Sequence, residues 1–315
     1  MKDPHTSVPA IPDQLQSHVD NARKAARSRK REELADRHSQ GQLTLWPECQ
    51  RGIPNELVRC AVFSAKNRKD RRKVYRANAP LIVPIIGGGE VVYIGEELRQ
   101  DDETVWMQLV HMAKEARSEY VSFTPYSFLN TIKWPIKGTS YTRLLTSIRR
   151  LTTSGIEVYS SRFDKGISSK LLAKYEYSKN TETPWKVQVF NKNDELLFMF
   201  DKLYSRLDWE TRLALPEGVT TWLHGFFSSH REPYDHKIET LAVGAGLTLE
   251  SENDAELDES SRTAKRKARL REIKRIMIKA LEALKKSGFL ASYDVTNSGL
   301  VQVVRASQRR KTIDL

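Results

Sequence analysis

The chain has 315 residues, with 52 Lys and Arg against 40 Asp and Glu, giving a formal net charge of +12. That length supports about two domains with their own cores, and a field of this sign attracts polyanions, because each phosphate contact releases condensed counterions. Nothing approaches the ~20 apolar residues of a membrane helix and the first residues, MKDPHTSVPAIPDQLQ, lack a signal peptide's apolar core, so a soluble, cytoplasmic protein is expected.

Cys49 and Cys60 are the only cysteines, too few for a disulfide framework or zinc site, and Cys60 is expected to be buried. Residues 1 to 40 are polar and charge-dense, with helix formers but almost no apolar face, which predicts a mobile arm or a marginal helix. A basic cluster follows, KNRKDRRKVYR, in which Lys66, Arg68, Arg71, Arg72 and Lys73 are candidate phosphate contacts. Next, LIVPIIGGGEVVYIGEEL places two β-rich runs around Gly87, Gly88 and Gly89, the pattern of a hairpin.

Asp101, Asp102 and Glu103 stand ahead of Val105, Trp106, Leu109, Val110 and Ala113, so they read as helix-start acids complementing the macrodipole. Thr124 and Pro125 open a short helix over YSFLNTI. Lys137-Gly138-Thr139 then turns into a longer helix whose apolar stripe, Tyr141, Leu144, Ile148 and Leu151, ends at Ser154-Gly155. Strand-like runs follow at IEVYSSRF, KLLAKYEY, WKVQVFN and ELLFMF, with a domain boundary placed near residue 195.

Helical segments are expected near 217–229 and 236–244, then an acidic loop at 249–261 whose composition favours disorder. Residues 274–291, KRIMIKALEALKKSGFLA, repeat the layout of 141–158, with Leu144, Ile148, Leu151 and Gly155 in register with Met277, Leu281, Leu284 and Gly288. A basic helix, a Ser-Gly stop and a strand are how a winged-helix unit presents its recognition helix and wing. The fold class is therefore α+β: two tandem winged-helix domains, 51–195 and 196–308, behind a mobile polar N-terminal leader, 1–50.

On a helical wheel Leu270, Ile273, Met277, Leu281 and Leu284 face the core, while Ala264, Lys265, Ala268, Arg271, Arg275 and Lys279 lie opposite. Small residues allow close approach and arginines reach base edges, so Arg271 and Arg275 are the candidates for base contacts. Lys267, Arg269 and Lys274, on the flanks, suit phosphate. The central helix turns out Thr139, Thr142, Arg143, Thr146 and Arg150, a weaker DNA face or one shared with a protein partner.

Gln42, Leu43, Leu45 and Trp46 resemble the bacterial sliding-clamp-binding pentapeptide, with Trp46 where phenylalanine is usual; the bland alternative docks Leu45 and Trp46 on their own domain. With FFSSHREPY (Phe226 to Tyr234), KIETL, GEELRQDDETVWMQLV and KKSGFL, the chain resembles the TrfA-type replication initiators of broad-host-range IncP plasmids over roughly residues 42 to 305. The resemblance implies a recognition helix over Arg262 to Ser287 and binding of direct repeats, called iterons, in double-stranded plasmid origin DNA. It also implies help in melting the adjacent AT-rich segment, with the opened single strand as a further candidate partner. The host sliding clamp, the initiator DnaA and the helicase DnaB are the implied protein partners, and a monomer–dimer balance is implied with them. The acidic stretch Glu250 to Ser260 looks like an insertion relative to the family, and masking of the basic helix in the absence of DNA is one role for it.

Catalysis is not expected. No GxxxxGK[ST] loop occurs, and His224, His230 and His236 are six apart, which puts no two on adjacent helical turns for a metal pair; His230 reads as a structural hydrogen-bonding residue. No cofactor is implied. A winged-helix repressor, using the same helices on a promoter, is the rival reading.

Overall fold

A computed structural model describes residues 46–306 apart from residues 162–163, 181, 192–193, 201–203, 251–253 and 255 and the side chains of residues 195 and 198. Gln42, Leu43 and Leu45, with the rest of residues 1–45, lie outside the described residues. The architecture is α+β. Among the described residues no helix is long and apolar enough to cross a membrane.

The first half runs β1 (Gln50–Pro54), α1 (Asn55–Val58), β2 (Phe63–Ser64), β3 (Val74–Tyr75), β4 (Leu81–Pro84), β5 (Gly89–Glu96) and β6 (Leu98–Arg99) into α2 (Gln100–Ala116). It continues through β7 (Tyr120–Phe123), α3 (Pro125–Thr131), α4 (Gly138–Thr153), β8 (Gly155–Ser160), β9 (Lys165–Ser169), β10 (Lys174–Glu176), β11 (Trp185–Gln188), a 3-10 helix (Glu195–Phe200) and β12 (Tyr204–Asp208). The second half comprises α5 (Trp209–Ala214), α6 (Val219–Ser228), β13 (His236–Lys237), α7 (Ile238–Gly244), α8 (Glu259–Lys286), β14 (Leu290–Val295) and β15 (Leu300–Arg305).

The expected hairpin forms: β4 and β5 pair antiparallel, Leu81 opposite Tyr93 and Pro84 opposite Glu90. β5 then pairs with β8, and β8 with β9, so that Val91, Val158 and Ile167 stack inward across three strands. α4 packs against this sheet at β5, and α2 packs on α4, β1 and β7; their apolar faces carry Trp106, Leu109, Val110, Leu144, Ile148 and Leu151, all buried. The Thr124 hydroxyl accepts from Ser127 N at 3.2 Å to start α3, with Pro125 in the first turn, as expected from the sequence.

Two expectations change here. ELLFMF is a 3-10 helix, because Leu196, Met199 and Phe200 recur at a spacing near three and are all buried, which suits one face of a helix better than an alternating strand. The first core also extends past residue 195. β12 returns to pair antiparallel with β1, Ile53 opposite Ser205, and Trp209 belongs to the first hydrophobic cluster.

The second cluster is built from Trp222, Leu223, Phe226 and Phe227 of α6, Leu241 and Ala242 of α7, and Ile273, Met277, Leu281 and Leu284 of α8. β14 and β15 form an antiparallel hairpin, and β13 adds to its β15 edge. The halves are locked together by buried polar contacts. Arg212 donates to Glu103 at 2.6 Å, Trp222 Nε1 to the Cys60 carbonyl at 3.3 Å, and Ala65 N to the Ala245 carbonyl at 2.8 Å.

Trp46 is buried in the first core. Its ring lies among His111, Phe200 and Tyr204, with the Lys114 ammonium 3.7 Å from the ring centroid. A Cβ at Gly52 would stand 2.2 Å from that ring, so the absence of a side chain at Gly52 makes the seat. The terminal aromatic of the clamp-like pentapeptide therefore docks on its own domain, since a tryptophan this size gains more by burial than by standing in water.

Candidate nucleic-acid interface

Asp258 caps α8, accepting from Ser261 N at 3.0 Å, and Glu259 follows in the first turn, so acids meet the positive end of the helix dipole. Lys285 and Lys286 occupy the last turn, and Gly288, at φ 77°, takes the left-handed conformation that turns the chain into β14. Only the second half of α8 is held by packing. Ile273, Met277, Ala280, Leu281 and Leu284 are buried, whereas residues 262–268 are exposed throughout. Burying four large apolar side chains at about 1.5–3 kcal/mol each anchors that half.

Lys265, Lys267, Ala268, Arg271, Arg275 and Lys279 are exposed, as the wheel expects, and Lys274 is half-buried. Arg275 donates to Glu272 at 2.8 and 2.5 Å, an exposed i,i+3 pair that holds its own guanidinium above the usual range and is cheap to exchange for a phosphate. Arg269 is instead tied to Asp254, whose hydrogen bond raises the Arg269 pKa. Arg262 and Arg266, which sequence reasoning left out of the candidate contacts, are also basic and exposed on this helix.

The cluster at 66–76 divides. Arg68, Arg71 and Lys73 are exposed. Arg72 turns inward, donating to Asp101 at 2.9 Å, Asp102 at 2.6 Å and the Glu97 carbonyl at 2.6 Å. Lys66 pairs with Glu97 at 2.7 Å and Arg68 with Glu217 at 3.7 Å.

The face assigned to α4 also changes. Thr139 and Thr142 are exposed and Thr146 is half-buried, but Arg150 is buried, with Nη2 3.2 Å from Asp102 and Nη1 3.8 Å from Glu96. Arg143 stacks over Trp134, 3.6 Å from the ring centroid, and pairs with Glu217 at 2.7 Å and Asp101 at 3.2 Å. The outward arginine is Arg149, fully exposed, whose Nε donates to the Tyr175 hydroxyl at 3.5 Å.

The reason lies at the start of α2. Asp102, in the first turn, accepts from Arg99 N at 3.0 Å, but it is also fully buried beside Asp101 and receives Ser147 Oγ at 2.6 Å. Burial raises both acids; Arg72 and Arg143 overcome it to hold Asp101 below the usual carboxylate range, while Asp102 beside it is pushed up. Two adjacent buried carboxylates need cations, and Arg72, Arg143 and Arg150 are those cations.

Folding brings the remaining basic groups together. Lys66, Arg68, Arg275 and Lys279 line one cleft of about 640 Å³ between the two halves, with Gly218, Val219 and Thr220 at the start of α6 on its wall. Glu217 lies on that wall and ties Arg68 and Arg143 to it. The two separate basic stretches of the sequence thus converge. His230 is a structural residue, its Nδ1 2.9 Å from the Phe226 carbonyl and its ring against Phe226, Tyr234 and His236. Cys60 is buried and Cys49 exposed.

The fold is shared with domains 2 and 3 of RctB. A crystal structure of a selenomethionine derivative of those domains matches with a TM-score of 0.51 at 13% identity, over 81% of this chain and 99% of that one. A structure of the Pi initiator protein in complex with iteron DNA matches with a TM-score of 0.43 at 11% identity, over 68% of this chain and 97% of that one. The chain belongs to the TrfA family, described as TrfA protein, which it matches over residues 10–281. It is 29% identical over 203 residues to the plasmid replication initiator protein TrfA of Escherichia coli, a match covering 64% of this chain and 52% of that protein. It therefore spans about half the length of this curated relative.

Proposed function

We propose that the chain is a non-catalytic plasmid replication initiator that binds direct repeats in duplex origin DNA. The observation that carries this reading is the exposed basic face of α8, which runs into a cleft where Lys66 and Arg68 meet Arg275 and Lys279. Such a face neutralises phosphates along one side of a duplex while Arg271 and Arg275 are long enough to reach base edges. Each half acts as a winged-helix unit: α4 with the β8–β9 hairpin, and α8 with the β14–β15 hairpin, are the two helix-and-wing pairs. Family membership and the similarity to a plasmid replication initiator support the initiator reading.

In this role the protein acts on plasmid DNA in the cytoplasm, promotes opening of the origin, and brings in the host DnaA, DnaB helicase and sliding clamp. A clamp contact through residues 42–46 requires Trp46 to leave its seat among His111, Phe200 and Tyr204, so the pocket and the clamp compete for that ring.

Footprinting on DNA flanking the gene tests the central reading. Protected direct repeats are expected, and a single protected promoter palindrome would replace the initiator with a repressor. In gel shifts, Arg271→Ala with Arg275→Ala should abolish the preference for repeats over scrambled DNA; an unchanged preference would remove both residues from base reading.

A further inference from the structure

In the segment leading into α8, Leu249, Glu250, Asp254 and Leu257 lie against one side of that helix. Arg262, Lys265, Arg266 and Arg269 are spaced i, i+3, i+4 and i+7 and so share a face, and each of them meets the segment. Arg262 donates to the Asp254 carbonyl at 3.3 Å and to the Leu257 carbonyl at 3.4 Å. Arg266 Nε is 3.3 Å from Glu250 Oε1, and Lys265 Nζ is 4.0 Å from Asp254 Oδ1. Arg269 donates from both terminal nitrogens to the Asp254 carboxylate, and from one of them to the Leu249 carbonyl at 3.3 Å.

Asp254 is only 3% exposed, an unusual place for a carboxylate in a polar stretch of chain. The guanidinium fork of Arg269 grips both carboxylate oxygens of Asp254. The same fork can donate to a phosphate through two parallel N–H···O bonds, so the carboxylate and a DNA phosphate are competing acceptors for one donor set.

The geometry points to the acidic segment as an internal stand-in for DNA phosphate. In the free protein Asp254, with Glu250, occupies Arg269, Lys265 and Arg266, and duplex DNA must displace it to gain those contacts. This rests on the reading of α8 as the DNA-contacting helix. It divides that helix into a side open to any duplex, with Lys267, Arg271 and Arg275, and a side reached only by a duplex that binds well enough to displace the acids. The segment therefore weakens binding to arbitrary DNA more than binding to the correct repeats.

Fluorescence anisotropy with the full chain and a short duplex of arbitrary sequence, between about 50 and 200 mM salt, tests the proposal. Asp254→Asn should bind about fivefold tighter, with a log–log salt slope steeper by about 1 to 2 as the released cations reach phosphate. Glu250→Gln, at an exposed pair where folding is not at risk, should shift the same way by about twofold. Glu256→Gln makes the same change of charge in the same segment at an exposed position, and should leave affinity nearly unchanged. Unchanged binding by both Asp254→Asn and Glu250→Gln, or an equal gain in Glu256→Gln, would overturn the stand-in while leaving the DNA-contact reading intact. Weaker binding by Asp254→Asn would also overturn it, since Asp254 would then be holding Arg269 in place for DNA. If the unaltered chain binds no duplex at any of these salt concentrations, the DNA-contact reading fails and the stand-in with it.

Discussion

The helices α4 and α8 carry the same motif and use their arginines in opposite ways. On α4, Arg143 and Arg150 face the N-terminal carboxylates of α2, and Arg150 is buried against Asp102. On α8, Arg271 and Arg275 stand in solvent, and Arg275 pairs with Glu272, a neighbour three residues away on its own helix. A cation that neutralises a carboxylate buried within the core, as Arg150 does Asp102, contributes to the fold, and moving it to a phosphate would strand the acid. A cation in an exposed i,i+3 pair can exchange partners at little cost. The charge of a basic protein is thus a poor guide to how many of its cations a polyanion can reach.

The largest effect that sharpens this contrast is on stability. Removing one partner of a buried pair, as in Arg150→Ala or Arg212→Ala, should cost about 3–5 kcal/mol, whereas Arg271→Ala should cost under about 0.5 kcal/mol; urea denaturation compares them. Equal costs would mean that the two helices do not differ as described. Trp46→Ala belongs with the first group, at about 3–5 kcal/mol, because its ring fills the seat over Gly52.

The next effect concerns pH. Burial holds His224 neutral, its pKa lowered to about 3, and His111 is lowered to about 4 by burial and by Arg51 and Lys114. The unfolded chain takes up protons below its ordinary histidine pKa of about 6.5 while these two stay neutral in the fold. Stability therefore falls as pH drops from about 6.5 toward 4, by on the order of 3 kcal/mol for His224 alone. His224→Phe, whose ring still packs against Phe289 at this site, should flatten that dependence in thermal melts. An unchanged slope would mean that His224 titrates normally. A smaller effect is on DNA: each of Arg271→Ala and Arg275→Ala should weaken repeat binding about tenfold, and Arg149→Ala should change it by about threefold or less.

Much of the second half was legible because its signals are local. The wheel over residues 262–287 separates Ile273, Met277, Leu281 and Leu284 from Arg271 and Arg275, and burial follows that division. The same wheel misplaced Arg150, because a helical period sees no partner in another segment, and Asp102 is 48 residues away along the chain. A second signal was present in the sequence: three consecutive acids before a run as apolar as Val105-Trp106-Met107 mark carboxylates that will be buried and must find cations. Arg72, in the basic cluster, likewise pairs with acids 29 and 30 residues away along the chain, which no local pattern marks. The cleft could not be read from sequence, since it joins residues 66–68 to residues 275–279 through the packing of two cores.

The most direct test of the central claim is the salt dependence of duplex binding by the unaltered chain, by an Arg271→Ala, Arg275→Ala, Lys279→Ala variant, and by a Thr142→Ala, Arg149→Ala variant. With about six phosphates contacted, the unaltered chain should show a log–log slope near −5, the α8 variant should lose about 2 to 3 of it, and the α4 variant about 1 or less. An α8 variant with the slope of the unaltered chain, or an α4 variant that loses more than the α8 variant, would contradict the assignment of DNA contact to α8.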